Sequence, residues 1–188
     1  MIGDSLFNKF SVNKDTTRVI YLLANTGRYF MIYNNVGTRL MEGETGRHRG
    51  TDYMIKDGLW KTYYINGNIK SEGYYYRNNP VGLWKKYFLS GRLKSIYNVA
   101  FVAIDTLENY CMSGSYIEYF ENGKIAIDGH YCVELGMDTV RFTRAEPPYE
   151  EYDDLVKRPV SKKCFVWKYF DESGILLKEI DYDLEAAH

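Results

Sequence analysis

Gly58-Leu59-Trp60-Lys61-Thr62-Tyr63-Tyr64-Ile65-Asn66-Gly67-Asn68-Ile69-Lys70-Ser71 returns 24 residues later as Gly82-Leu83-Trp84-Lys85-Lys86-Tyr87-Phe88-Leu89-Ser90-Gly91-Arg92-Leu93-Lys94-Ser95. Self-similarity at a fixed spacing speaks more directly about architecture than local propensity does. Downstream, Gly114-Ser115-Tyr116-Ile117-Glu118-Tyr119-Phe120-Glu121-Asn122-Gly123-Lys124-Ile125 repeats the phrase with Tyr116 in place of Trp, and Val166–Leu176 closes the series. A fainter copy, Phe30–Gly37 followed by Glu42-Gly43, lies upstream. The units fall near 28–43, 58–76, 82–97, 114–131 and 165–182, within one domain at 1–183.

Two stretches interrupt the series. Residues 99–113 read as a short insertion. Residues 134–163 contain the acidic, Pro-bearing run Glu146–Asp154 and read as a long loop or lid, since proline cannot serve a central ladder. Residues 1–16 are polar and weakly patterned, and 184–188 have the composition of a tag remnant. The Gly-flanked Glu44–Thr51 run, with Arg47, His48 and Arg49, reads as a solvated loop, a phosphate contact being the alternative.

Asn66-Gly67 and Asn122-Gly123 predict two-residue type I′ hairpin loops. In the last copy the aromatic pair stands one residue closer to Trp167, which predicts a three-residue loop with Gly174 in the left-handed region. A two-residue loop sets Tyr64 opposite Ile69, Tyr63 opposite Lys70, Lys61 opposite Glu72 and Trp60 opposite Gly73. Alternation then defines two faces. The core face collects Trp60, Tyr64, Ile69 and Gly73, with Trp84, Phe88, Leu93 and Tyr97, and with Tyr116, Phe120, Ile125 and Gly129. On it, Gly73 and Gly129 leave room for the aromatic ring opposite. The other face carries Tyr63, Lys70, Tyr87, Lys94 and Tyr119. Solvent is its default neighbour, yet Tyr interleaved with Lys is also the composition of a protein-binding surface, so these five residues form the candidate partner-binding face. The fold class that follows is all-β, an antiparallel meander of repeated β-hairpins forming an elongated, curled single sheet with irregular insertions.

Composition agrees with that class and narrows the function. Nineteen Tyr and nine Phe beside four Pro, in 188 residues, is the mix of aromatic strands joined by tight turns. A formal net charge of −1 leaves no basic footprint for nucleic acid, and makes a membrane contact weakly supported. No window approaches the ~18 apolar residues of a spanning helix, and the start lacks the basic and apolar regions of a signal peptide. The protein is expected to be either cytoplasmic or exported with its signal removed. Cys111, Cys132 and Cys164 are odd in number and widely spaced, so three free, partly buried thiols are expected. One disulfide plus one thiol is the alternative for an exported chain.

His48, His130 and His188 show no metal-ligand spacing, and no phosphate-cradling Gly motif is present. The acids Glu150-Glu151 and Asp153-Asp154 lack the Gly-punctuated loop of a Ca²⁺ site. No catalytic residue, metal or cofactor is therefore expected.

The phrase resembles the MORN-variant repeats, whose unit reads roughly Gly-x-Trp-Lys-x-Tyr-Tyr-x-x-Gly-x-x-Lys-x-x-Gly. The units at Gly58 and Gly82 match most of it, the unit at Gly114 matches with Tyr116 for Trp, and those at Phe30 and Trp167 match in part. Tandem units of this kind look like the bacterial YwqK-type family, often labelled an antitoxin component and commonly exported. The resemblance implies a hairpin array and brings no catalytic residue. The expected function is a non-enzymatic protein-interaction module, antitoxin- or immunity-like. The alternative is an exported or envelope-associated structural protein with peripheral membrane contact. An exposed end strand could also pair two copies.

Overall fold

The computed structural model describes residues 7–8, 18–24, 27–34, 36–47, 54–143 and 151–185. Among these residues twelve antiparallel strands follow one another across one open sheet: β1 Phe7–Asn8, β2 Arg18–Ala24, β3 Gly27–Tyr33, β4 Arg39–Arg47, β5 Met54–Tyr63, β6 Ile69–Tyr76, β7 Asn79–Tyr87, β8 Leu93–Ile104, β9 Leu107–Tyr119, β10 Ile125–Thr143, β11 Glu151–Phe170 and β12 Leu176–Asp181. One helical turn, α1 Tyr182–Glu185, ends the described chain. The expected all-β meander is thus the fold.

Each of the five phrases forms a hairpin, and all five share one loop. In the Tyr64–Asn68 loop, Tyr64 N–H donates to the Asn68 carbonyl (2.9 Å) and Gly67 N–H to the Tyr64 carbonyl (3.0 Å). Only the glycine adopts positive φ, +88°. This is a type I turn closed by a left-handed glycine, a three-residue loop, and it replaces the two-residue type I′ loop that Asn-Gly predicted. The Asn66 side chain favours it by accepting the Asn68 N–H (3.0 Å). The loop at Asp171–Ile175 has the same bonds, so the last copy is no exception; its aromatic pair shifts within an unchanged frame. A turn with two adjacent positive-φ residues does occur, at Arg77 (49°) and Asn78 (69°), where one unit passes to the next.

The loop alters the register beside it. Thr62, Lys61 and Trp60 face Ser71, Glu72 and Gly73 as expected, but Tyr63 stands opposite Ile69, and Lys70 falls in the irregularity between.

A second irregularity recurs between units. Gly43↔Trp60 is followed by Thr45↔Lys56, Glu72↔Lys85 by Tyr74↔Val81, Tyr97↔Tyr116 by Val99↔Met112, and Asp128↔Lys168 by His130↔Cys164. Each time the later strand carries a bulge around the position of the Trp. The residue two before that aromatic takes positive φ: Gly58 (+117°), Gly82 (+69°), Gly114 (+91°) and, in the last unit, Phe165 (+57°). This is why the phrase begins Gly-x-Trp. Phe165 holds a bulky side chain in a conformation that L residues disfavour.

The bulge lays each Trp over the glycine of the preceding unit. A Cβ on Gly43, Gly73 or Gly129 would overlap the ring of Trp60, Trp84 or Trp167 respectively. The expectation placed each ring against the glycine of its own hairpin, and the contact is displaced by one unit. An aromatic spine results, with Phe30–Trp60 centroids 6.3 Å apart, Trp60–Tyr75 6.3 Å, Tyr75–Trp84 5.2 Å and Tyr116–Trp167 5.7 Å. The three indoles are buried. Two of their N–H groups donate to the carbonyl next to that glycine, Trp60 to Glu44 (2.5 Å) and Trp167 to His130 (3.0 Å). Among the described residues, Trp84 Nε1 is buried without a hydrogen-bond partner.

Both segments read as insertions are strands. Residues 99–113 form the far half of the β8–β9 hairpin, which closes at Asp105-Thr106. The described part of 134–163 forms the far half of a β10–β11 ribbon, paired from Glu134↔Val160 to Thr143↔Glu151. Pro159 is tolerated because this part of β11 has β10 on one side only, since β12 pairs no further than Val166. The ribbon folds over β9: the Pro159 carbonyl accepts Asn109 Nδ2 (2.8 Å) and Cys111 Sγ (3.1 Å). Its acids are answered across the strands, Arg141 pairing with Asp153 (3.0 Å) and Glu151 (3.7 Å), and Lys162 with Glu134 (3.1 Å). Arg158 likewise pairs with Asp138.

Cys132 and Cys164 are joined in a disulfide that ties β10 to β11, with Cα atoms 5.7 Å apart, while Cys111 stays free and buried. The expectation of three free thiols is corrected, because the ribbon brings together two cysteines that lie 32 residues apart in the chain. Residues 44–47, read as loop, continue β4. His48, the Glu146-Pro147-Pro148 tip, most of the leading segment and residues 186–188 lie outside the described residues.

Along one side of the sheet the hairpin loops bond to one another. Asn66 and Asn68 side-chain amides both donate to the Leu89 carbonyl (2.9 Å each), Arg92 donates to Glu121 (2.7 Å), and Asn122 and Lys124 donate to Glu172 (2.7 Å) and Ser173 (2.5 Å).

Candidate interaction face

Tyr63 and Tyr87 point away from the Trp spine, as alternation requires, but their hydroxyls are committed. Tyr63 donates to Glu42 of the preceding hairpin, with Arg39 over its ring at 5.3 Å and bonded to Glu42 at 2.9 Å. Tyr87 donates to Glu72 (2.6 Å). Burial, then the bond to the carboxylate, pushes each phenol up to about 12. These tyrosines clasp neighbouring hairpins. Among the described residues the unit near 114–131 has no such clasp, because Ile96 occupies the position of Glu72 opposite Ile117 and Lys85, and Tyr119 is half-buried. Lys70 and Lys94 are exposed, their ammonium groups over Tyr64 (5.8 Å) and Phe88 (5.6 Å) rather than beside Tyr63 and Tyr87. The five candidate residues therefore divide into two structural clasps, two exposed cations and one half-buried tyrosine.

Tyr74, Tyr76 and Leu83 were not read from the sequence as site residues. Tyr75 points into the spine between Trp60 and Trp84, so its neighbours Tyr74 and Tyr76 point to the opposite face, as does Leu83 beside Trp84. They are 53%, 51% and 52% exposed. Arg77 lies over the Tyr76 ring (5.5 Å). The period-two split of Tyr74-Tyr75-Tyr76 was the available signal.

On the spine face, lysines cap the indoles. Lys56 Nζ lies 4.7 Å from both the Trp60 and Tyr75 centroids, where burial lowers its pKa. Lys163, four residues before Trp167 as Lys56 is before Trp60, lies 4.3 Å from that indole and bonds to the hydroxyls of Tyr169 (3.0 Å) and Tyr182 (3.5 Å). Lys178 Nζ sits 4.6 Å over the Tyr169 ring. Burial raises the Tyr169 pKa but is outweighed by the Tyr182 hydroxyl and the two ammonium charges, so the phenol is lowered overall. The Cys111 thiol is raised, by burial first. Among the described residues, no group of three or more His, Cys, Asp or Glu side chains could hold a metal ion, and no helix is long and apolar enough to cross a membrane.

The architecture is that of an open, single-sheet hairpin-repeat protein. Residues 56–78, 112–132 and 166–183 match the family described as MORN repeat variant, each match covering a Trp or Tyr116 bulge or the hairpin around it. The hairpins near 28–43 and 82–97 fall outside the matched stretches. No curated protein and no solved structure matches the chain.

Proposed function

We propose that this chain is a non-enzymatic protein-interaction module that presents the face opposite its Trp spine to a protein partner. The observation that carries this is the exposure of Tyr74, Tyr76 and Leu83 on that face, with Arg77 beside them. Large aromatic and aliphatic side chains left half in water on a rigid sheet are the anchors protein interfaces use. Lys70, Lys94 and Tyr119 belong to the surrounding surface, whereas Tyr63 and Tyr87 hold the scaffold. Changing Tyr74, Tyr76 and Leu83 together to Ser should abolish partner capture, measured by crosslinking and co-purification, at an unchanged melting temperature. Retention of the partner would overturn the face assignment. The antitoxin- or immunity-like reading is a finer one, supported by the resemblance alone. Its test is rescue of growth when the chain is co-expressed with the product of a neighbouring toxic gene.

The disulfide favours a second, compatible statement. Paired cysteines persist in oxidising compartments, so Cys132–Cys164 supports export to an envelope or extracellular setting. Trapping of free thiols in protein taken from its native host should label Cys111 alone after unfolding. Labelling of all three would overturn export. Peripheral membrane contact has no comparable observation behind it, and vesicle flotation on anionic lipid at low salt tests it directly.

A further inference from the structure

Strand β12 ends the sheet, pairing with β11 and with no other strand among the described residues. Such an edge presents unpaired backbone groups to any extended chain. Its side chains are specific. Lys178 stands opposite Tyr169 and Ile180 opposite Trp167, both on the spine face, while Glu179 points the other way and Leu177 falls in the irregularity between Lys178 and Leu176. Glu179 already has a cation, Lys168 at 3.6 Å. Among the described residues, Lys178 has no carboxylate within ion-pair distance, and neither has Lys163, which lies over Trp167 and reaches the same Tyr169 that Lys178 covers. Two ammonium groups and two phenol hydroxyls thus gather at this end of the spine, with no acid paired to them among the described residues. Leu177 is 65% exposed.

Resting on the interaction reading above and naming a second contact for it, the geometry points to β12 as a docking edge for an extended acidic peptide of a protein partner. The peptide adds a thirteenth strand. Cross-strand neighbours share a face, so its residue opposite Lys178 is Asp or Glu, and the residue opposite Ile180 is apolar. The carboxylate completes the Lys163, Lys178 and Tyr169 cluster, and backbone pairing supplies the rest of the affinity. Charge complementarity selects this occupant over a second copy of the chain. Two β12 strands paired antiparallel about Lys178 would set like charges against each other.

The probe is a fluorescein-labelled ten-residue peptide of alternating Thr and Val with one central Val replaced by Asp, titrated against the whole chain by anisotropy. A matched peptide with Lys in place of Asp is the control. The expected result is saturable binding of the Asp peptide, weakened roughly tenfold by Lys178→Glu, the size of one charge contact. The Lys peptide should show the reverse preference, and amide exchange should slow at 176–180 on binding. Equal binding of the two peptides, no binding at millimolar concentration, or protection elsewhere would overturn the proposal. So would a dimer in sedimentation velocity that Lys178→Glu dissolves, since the occupant would then be a second copy. The Tyr74, Tyr76 and Leu83 triple variant should still bind the Asp peptide. If the peptide fails while that triple variant still loses its partner, the edge proposal falls and the interaction reading stands.

Discussion

Trp84 and Trp167 occupy the same position in the repeat, yet the sheet around them differs. Trp84 sits in the single-layer stretch from β3 to the near half of β8, 7% exposed, with Tyr75 against its edge and its indole N–H unpaired. Trp167 sits where β10 and β11 outgrow the repeat, 1% exposed, stacked on Tyr116 and met edge-on by Tyr131 and Tyr182. Its N–H is bonded and Lys163 lies over it. One sheet cannot bury its own aromatic row completely, so this chain completes the burial at one end by folding a ribbon over β9 and stapling it with a disulfide. The rest stays a single open layer.

That contrast can be broken from either side. Trp167→Ala should be the most damaging change, about 5 kcal/mol, against about 3 kcal/mol for Trp84→Ala, which already lacks one hydrogen bond; urea unfolding compares them. Removing the staple with Cys132→Ser and Cys164→Ser should cost about 3 kcal/mol and expose the 134–163 ribbon to protease before the 58–97 hairpins. Gly73→Ala, which drives a methyl into the Trp84 ring, should cost about 2 kcal/mol. Replacing the left-handed Phe165 works in the opposite direction: Phe165→Gly should raise stability by about 1 kcal/mol, and Gly82→Ala at the corresponding bulge should lower it by a similar amount.

The smallest effect lies in pH. Tyr63 and Tyr87 ionise near 12 in the folded protein, above the ordinary phenol value of 10.0. Their hydrogen bonds therefore stabilise fully below pH 10 and are lost as pH rises from 10 towards 12. Titration of tyrosinate absorbance should show a late-ionising fraction that shrinks in Tyr63→Phe and Tyr87→Phe, with no change in the absorbance attributable to Tyr169.

Much of the fold was legible in the repeated phrase, because Gly, Trp and the paired aromatics each report a backbone need. Spacing cannot show which glycine a Trp covers, since Trp60 lies between Gly43 and Gly73 and only the bulge before it decides. Asn66-Gly67 led to the wrong loop, two residues in place of three, because the same dipeptide suits two turn types. The ribbon was hidden by the acidic, Pro-bearing run Glu146–Asp154, which signals loop unless the cations across the strands are known. The candidate face was half legible. Alternation placed Tyr63 and Tyr87 correctly, but Glu42 and Glu72, which occupy their hydroxyls, belong to other hairpins.

The loop-to-loop bonds from Asn66 through Leu89, Arg92, Glu121 and Asn122 to Glu172 and Ser173 carry a consequence for assembly. Each hairpin supplies the template against which the next one orders, so order spreads along the row as through falling dominoes, with neighbour coupling in place of a central nucleus. A chain built this way can lengthen by whole units.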